Sequence, residues 1–264
     1  MTARDPQIIT VGEGGRQRKI AYLSSPPRAS GAPGVLWLIG LKSDMASTKA
    51  EALAQWTAER GLGFTRFDYS GHGQSEGEFE EATISDWLEE ASAVFRQVTT
   101  GPQIIAGSST GGHVALLLLR HLIEAHPEDA KRVLGLVLIA PAWDLTEELM
   151  WKAFPPQVQQ QIMDKGKWVR PSAYDARGYA ITRRFIEDGR KHLLAGSHFN
   201  PGRPIAVLQG AEDQDVPLAH AERLASVLEG DWVSITVVPD GEHRLSRPED
   251  LDLLYGLIEA QLKT

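Results

Sequence analysis

Short runs of consecutive apolar residues alternate along the chain with longer stretches in which apolar residues recur every three or four positions. Two of the runs, residues 35–39 and 136–139, are apolar throughout. This pattern is typical of a strand with helices on both faces, because a strand with one face in water would alternate. The pattern predicts strands at residues 8–11, 19–23, 35–39, 63–68, 103–107, 134–140, 205–209 and 233–238.

The longer stretches predict helices at residues 47–60, 84–98, 110–125, 218–228 and 248–262. Strands that alternate with helices are typical of a mostly parallel sheet, since each parallel crossover needs a helix. We therefore expect an α/β fold, with a mostly parallel sheet of about eight strands flanked by helices.

This alternation stops between residues 141 and 203. The segment is rich in aromatic residues and contains no run that predicts a strand, and it carries ten Lys/Arg against seven Asp/Glu. We interpret it as a helical cap inserted after the sixth strand, with residues 1–140 and 204–264 forming the core. The alternative is a pair of ordinary crossover helices with an aromatic-rich buried face. Its aromatic residues include Trp143, Trp151, Phe154, Trp168, Tyr174, Tyr179 and Phe185.

The composition narrows the possible functions. The chain has 264 residues, of which 42% are hydrophobic, so it can bury a sizeable core. Its net charge of −8 disfavours binding to nucleic acid, whose phosphates need a basic surface. It has no cysteine, which excludes disulfide scaffolds, thiol nucleophiles and zinc–thiolate sites. The oligomeric state stays open.

The N-terminal residues indicate a cytoplasmic location. Residues 1–7 contain neither an apolar signal region nor an Arg/Ser-rich amphipathic presequence. The longest apolar stretch, residues 133–140, is too short to span a bilayer. We therefore expect a cytoplasmic protein with no membrane partner.

The most informative segment is residues 103–112, where a predicted strand runs directly into Gly-Ser-Ser-Thr-Gly and a long apolar helix follows. A serine on such a tight turn projects its hydroxyl clear of the sheet, and the helix N-terminus favours negative charge beside it. The pattern predicts that Ser109 is a nucleophile. The alternatives are Ser108, which lies outside the spacing, and a Gly/Ser-rich turn with no chemical role.

A serine nucleophile needs a base to take its proton and an acid to orient the base. Asp213 follows the predicted strand at 205–209, and His243 lies in a Gly-containing loop after the last strand. Both positions belong to the carboxyl edge of a parallel sheet, where α/β folds bind ligands. We prefer Asp213 as the acid from its Gly-x-x-Asp-x-x-Val-Pro spacing. Asp215, expected to cap the next helix, and Glu212 remain alternatives.

Two backbone N–H groups should bind the oxyanion of a tetrahedral intermediate. Thr110, directly after the proposed nucleophile, is expected to supply one of them. Leu41, in the loop after the third strand, is expected to supply the other. The alternative for Leu41 is a plain strand-to-helix loop.

Together these residues resemble the α/β-hydrolase superfamily over essentially the whole chain. Residues 66–75, Arg-Phe-Asp-Tyr-Ser-Gly-His-Gly-Gln-Ser, are similar to the turn after the fourth strand in those enzymes. Segments 43–50, 107–112, 165–174 and 240–244 resemble bacterial hydrolases related to a mitochondrial protein depalmitoylase that also hydrolyses drug acyl-glucuronides. Thr110 departs from the apolar residue usual there.

The resemblance implies a carboxylesterase or thioesterase that acts on O-acyl or S-acyl bonds of a small-molecule substrate. No metal or organic cofactor is expected. We expect aromatic side chains of the cap to enclose the acyl group, namely Trp143, Trp151, Phe154 and Trp168. Two alternatives remain: a peptide or carbon–carbon hydrolase with the same triad, and a non-catalytic small-molecule receptor.

Overall fold

The computed structural model describes residues 5–171, 178–197 and 199–263. Within these residues the main sheet has eight strands, and every predicted strand is confirmed to within two residues at each end. The sheet consists of β1 (Gln7–Val11), β2 (Arg18–Ser25), β3 (Gly34–Leu38), β4 (Gly63–Phe67), β5 (Gln103–Ser108), β6 (Val133–Ile139), β9 (Ile205–Gly210) and β10 (Val233–Val238).

The strands are arranged in the order β1-β2-β4-β3-β5-β6-β9-β10. The pairs β1–β2 and β2–β4 are antiparallel, and every pair from β4 to β10 is parallel. The central strands β3, β4, β5 and β9 are buried along their whole length. Burial on both faces explains why the sequence of β3 is apolar rather than alternating.

The five predicted helices are confirmed, and outside the segment 141–203 one further short α-helix joins them. Helix α1 packs against α8, and α2 packs against α3, so the sheet lies between helical layers. The helices outside the segment 141–203 are α1 (Thr48–Arg60), α2 (Ile84–Gln97), α3 (Thr110–Ala125), α4 (Pro127–Ala130), α7 (Leu218–Val227) and α8 (Pro248–Gln261).

The segment between β6 and β9 differs from the sequence prediction in one respect. Besides a π-helical turn (Leu145–Met150), α5 (Pro156–Lys165) and α6 (Arg183–Gly189), it contains an antiparallel pair of strands, β7 (Lys167–Arg170) and β8 (Tyr179–Thr182). The expectation that no strand interrupts this segment is wrong. Each strand has only four residues, and the charged ends of β7 hide the local alternation.

All parallel strands point their carboxyl ends to the same edge of the sheet, and the loops that follow β3, β5, β9 and β10 meet there. In the part of the chain that the structure describes, no helix is long and apolar enough to cross a membrane. Tyr174, one of the aromatic residues noted in the sequence, and the end of the segment 165–174 lie outside the described residues.

Candidate functional site

Ser109 lies at the sharp turn between β5 and α3. Its backbone is in the left-handed half of conformational space, with φ 54° and ψ −118°, which is rare for a residue with a side chain. The turn is tight enough that a side chain at Gly107 would collide with the carbonyl of Gly111, and one at Gly111 with the carbonyl of Leu38. The two glycines therefore permit the strained turn that carries the serine.

Ser109 and two residues from other loops form a continuous chain of hydrogen bonds. The Nε2 atom of His243 lies 3.1 Å from Ser109 Oγ, and its Nδ1 lies 2.8 Å from Asp213 Oδ2. A carboxylate can only accept, so Nδ1 carries the proton and Nε2 is free to accept from the hydroxyl. Ser109 precedes Asp213 and His243 by more than 100 residues in sequence, and the sheet edge brings the three side chains together.

The loop after β9 holds Asp213 firmly. Its Oδ1 accepts hydrogen bonds from the backbone N–H groups of Asp215 and Val216, both at 2.9 Å. Gln209 donates to Oδ2 at 3.2 Å, and the carboxylate is fully buried. These bonds leave Oδ2 aimed at the imidazole of His243, so the acid is oriented before any substrate arrives.

The other two candidate acids do not orient the imidazole. Asp215 and Glu212 are exposed, and neither bonds to His243. The expectation that Asp215 caps the next helix is wrong, because α7 starts after Pro217 with no side-chain cap. Asp215 instead lines the mouth of the cavity in front of Ser109.

The predicted oxyanion donors lie on either side of Ser109. Among the described residues, the backbone N–H groups of Leu41 and Thr110 have no hydrogen-bond acceptor, and both residues line the cavity. Leu41 belongs to a turn in which Ser43 N–H bonds to the Gly40 carbonyl at 3.1 Å. Unpaired N–H groups beside a nucleophile are the feature that an oxyanion hole requires.

Sequence reasoning did not identify the residues that support this turn. The Nε2 atom of His72 accepts a hydrogen bond from Lys42 N–H at 3.1 Å, and Asp68 Oδ1 accepts from Met45 N–H at 2.7 Å. Arg66 donates to the Met45 carbonyl at 2.7 Å. All three belong to the segment 66–75. The resemblance of this segment to a family motif was the sequence signal that could have identified them.

The cavity in front of Ser109 has a volume of about 820 Å³, within the range of small-molecule sites. Its basic residues are Lys42, Lys49, Arg170 and Arg244, and its one acid among the described lining residues is Asp215. Burial, together with the positive charge of Arg244, lowers the pKa of Lys49 to about 8. The lining of the cavity is therefore more basic than the chain as a whole, which carries a net negative charge.

The four aromatic residues predicted to enclose substrate are not among the residues that line this cavity. Trp143 is buried and stacks on His220 with ring centroids 4.4 Å apart. Phe154 and Trp168 pack edge to face at 5.2 Å, and the guanidinium of Arg190 covers Trp151. These rings stabilise the inserted segment. The segment instead contributes apolar side chains that include Leu145, Leu149 and Met150, together with the aromatic ring of Tyr179.

One group of potential metal ligands converges in the described part of the chain. Ligand atoms of Asp213, Asp215 and His243 lie within 4.8 Å of one another. The carboxylate of Asp213 and the imidazole of His243 are hydrogen-bonded to each other, however. The same atoms therefore already have partners within the protein.

The order of the strands, together with a serine at a turn from strand to helix, defines an α/β hydrolase. This is a class of hydrolytic enzymes, and the chain belongs to this family. The family model described as "Serine aminopeptidase, S33" matches residues 40–191. A curated relative, the mitochondrial palmitoyl-protein thioesterase ABHD10 of Mus musculus, is 34% identical over 230 residues, which are 86% of this chain and 74% of the relative.

Two solved structures extend this similarity to the whole fold. The crystal structure of an Agrobacterium vitis S4 protein superposes with a TM-score of 0.93 at 40% identity and covers 98% of both chains. Alpha/beta hydrolase domain-containing protein 10 from mouse superposes with a TM-score of 0.83 at 30% identity, over 97% of this chain and 98% of that one. The segment 141–203 is thus included in both superpositions.

Proposed function

We propose that this enzyme is a serine hydrolase that cleaves carboxylic ester or thioester bonds through Ser109, His243 and Asp213. One observation carries the proposal: the unbroken hydrogen-bond chain from Ser109 Oγ through the imidazole of His243 to the buried carboxylate of Asp213. A serine hydroxyl becomes a useful nucleophile only when such a base is in reach and correctly oriented.

In the first half of the reaction, His243 Nε2 takes the proton of Ser109 as the oxygen attacks the substrate carbonyl carbon. The carbonyl oxygen becomes an oxyanion, which the N–H groups of Leu41 and Thr110 bind, and Asp213 stabilises the imidazolium. The tetrahedral intermediate then collapses. The bond to the leaving alcohol or thiol breaks, and His243 returns the proton to it.

In the second half, water attacks the acyl-enzyme and His243 takes its proton. A second oxyanion forms in the same place, and its collapse releases the carboxylic acid and restores the hydroxyl of Ser109. His243 returns the proton taken from water to Ser109 Oγ, so all proton transfers use the one imidazole.

We further propose that residues 141–203 act as a cap over a core made of residues 1–140 and 204–264. Leu145, Leu149 and Met150 of the inserted segment line the cavity beside Ser109, which supports this division. Their apolar side chains suit an acyl chain. The curated relatives are named palmitoyl-protein thioesterases, so we propose fatty-acyl esters or thioesters as the substrate class.

Peptide hydrolysis is the second candidate, because the matching family model is described as a serine aminopeptidase. The same nucleophile and base could attack an amide carbonyl. Aminoacyl p-nitroanilides should therefore accompany the ester substrates. Turnover of these amides exceeding that of matched esters would favour the peptidase.

A fluorophosphonate probe tests the proposal directly. We expect stoichiometric labelling of the wild-type enzyme, none of Ser109→Ala, and labelling slowed by several orders of magnitude in His243→Ala. A panel of acyl chains, offered both as p-nitrophenyl esters and as thioesters, then defines the substrate. Absence of both labelling and turnover would overturn the assignment and favour a binding protein, whereas undiminished turnover by Ser109→Ala would assign the nucleophile to another residue.

The location within the cell stays a prediction. The N-terminal residues indicate the cytoplasm, whereas the curated relatives are named as mitochondrial proteins. Fractionation of the source cells, followed by detection of the labelled hydrolase, would distinguish the two locations.

A further inference from the structure

We infer that His72 is a positioning residue for the oxyanion hole, an inference that rests on the proposed function. The observation is the hydrogen bond from the backbone N–H of Lys42 to Nε2 of His72, 3.1 Å long. Lys42 directly follows Leu41, the proposed oxyanion donor. His72 therefore holds the peptide group next to the one that would bind the oxyanion.

The imidazole of His72 is prepared for this role by its surroundings. Its Nδ1 lies 3.2 Å from the Ser70 carbonyl, which can only accept, so Nδ1 carries the proton and Nε2 is left as an acceptor. The ring packs edge-on against Tyr69, Phe79 and Trp87. Burial lowers the pKa of His72 to about 4, so the ring is neutral at physiological pH.

The turn needs such support because Lys42 adopts a left-handed backbone with φ 59°. A residue with a side chain is disfavoured there, and rotation of the Leu41–Lys42 peptide would relieve this conformation. The rotation would also turn the Lys42 N–H away and leave the buried Nε2 of His72 without a partner, which opposes it. His72 thus maintains the turn in which Leu41 N–H faces the cavity.

The remaining contacts on this loop lie further from the reacting atoms. Asp68 and Arg66 bind the backbone of Met45, four residues beyond Leu41, and they hold the far end of the loop. His72 makes the supporting bond closest to Leu41. Its removal should therefore disturb the oxyanion donor while the rest of the loop stays attached to the sheet.

Two substitutions and one control test the inference. His72→Leu removes the acceptor but keeps an apolar side chain in the aromatic cluster, whereas His72→Gln retains an oxygen that can accept from Lys42 N–H. Trp87→Phe disturbs the packing around His72 and leaves its bond to Lys42 in place. The measurements are kcat and KM on one ester, with thermal unfolding to establish that each variant is folded.

For His72→Leu we expect kcat to fall about tenfold or more with KM changed by about twofold or less, because the lost interaction acts only on the transition state. His72→Gln should recover most of the activity. Trp87→Phe should lose stability but keep its kcat. A trifluoromethyl ketone, which forms an oxyanion with the serine, should bind His72→Leu more weakly in proportion to kcat/KM, and the product acid should bind unchanged.

Three results would overturn the inference: an unchanged kcat in folded His72→Leu, a His72→Gln as impaired as His72→Leu, or an equal loss of kcat in Trp87→Phe. The last would mean that His72 only fills space. Each is measured against an active wild type that labels on Ser109. If the wild type neither labels nor turns over, the proposed function fails instead, so the two failures are distinguishable.

Discussion

The ammonium group of Lys49 donates a hydrogen bond to the backbone carbonyl of Arg244, the residue that follows His243 in the chain. It also donates to Ser246 Oγ at 3.2 Å. Lys49 belongs to α1, the helix that follows the oxyanion loop, so this one side chain joins that helix to the loop of the proposed catalytic base. Lys49 thus connects the helix that follows the oxyanion loop to the loop that carries His243.

We expect Lys49→Met to lower kcat about tenfold or more, because the loop of His243 loses two hydrogen bonds and small displacements of a catalytic group are costly. Steady-state kinetics on one ester would measure the effect. Lys131→Met is the matched control, since Lys131 is exposed and pairs with Glu128 on the surface. Equal kcat in the two variants would mean that the loop is held without Lys49.

The roles of Asp213 and Asp215 can be distinguished by changing each of them in turn to asparagine. Asp213→Asn should lower kcat by roughly 10⁴-fold, as in other triads, because the amide disfavours the tautomer that leaves Nε2 free to accept. Asp215→Asn should change kcat by about threefold or less, because His243 Nδ1 donates its hydrogen bond to Asp213 and not to Asp215. Comparable losses in both variants, or a larger one in Asp215→Asn, would assign the acid differently.

The hydroxyl of Thr110 is buried and has no hydrogen-bond partner among the described residues. Thr110→Val removes this unsatisfied group and leaves the backbone N–H in place. We expect the free energy of unfolding to rise by about 1 kcal/mol with kcat unchanged. Urea denaturation and ester turnover measure the two quantities.

Thr57→Val is the matched control for Thr110→Val. The hydroxyl of Thr57 is also buried, but it donates to the Leu53 carbonyl at 2.7 Å, so its removal should lower stability. A tenfold loss of kcat in Thr110→Val would contradict the prediction and would mean that the hydroxyl contacts the reacting atoms.

His113 predicts a dependence of stability on pH. Burial, aided by the positive charges of His192, Arg120 and His220, lowers its pKa to about 3, and its Nδ1 accepts a hydrogen bond from Asp144 N–H at 2.8 Å. Between about pH 3 and 6.5 the unfolded chain binds the proton and the folded one does not. Stability therefore rises with pH across this window and is lost on acidification.

The expected contribution of His113 approaches about 1.4 kcal/mol per pH unit within that window. Asparagine can accept the same bond and does not titrate, so His113→Asn should flatten the curve of unfolding free energy against pH. Denaturation at pH 5 and pH 8 would measure the difference. Parallel curves for the variant and the wild type would show that His113 does not titrate in this way.

Much of the fold could be predicted because its signals are local. Strand β3 is buried on both faces, so its sequence is apolar throughout and stands out against helical periodicity. The glycines around Ser109 indicate the tight turn for a similar reason, since only small residues fit there. Asp213 could be preferred over Asp215 because its spacing after a strand matched a known pattern.

The position of the inserted segment could be predicted from the sequence, but the direction in which its aromatic side chains point could not. Its aromatic residues were expected to face the substrate, yet Trp143 stacks on His220, and Phe154 packs on Trp168. Without a regular period, composition does not reveal which way a side chain points. The direction depends on contacts with residues distant in the chain, such as His220 on α7.

By itself the sequence determined the α/β fold, the order of its elements and the three side chains that meet at the sheet edge. These follow from hydrophobic period and turn chemistry, which each segment carries locally. Tertiary structure alone decided that His72 supports the turn of Leu41, that Lys49 holds the loop of His243, and which side chains line the cavity. Such contacts join residues tens to hundreds of positions apart, and no local pattern encodes them.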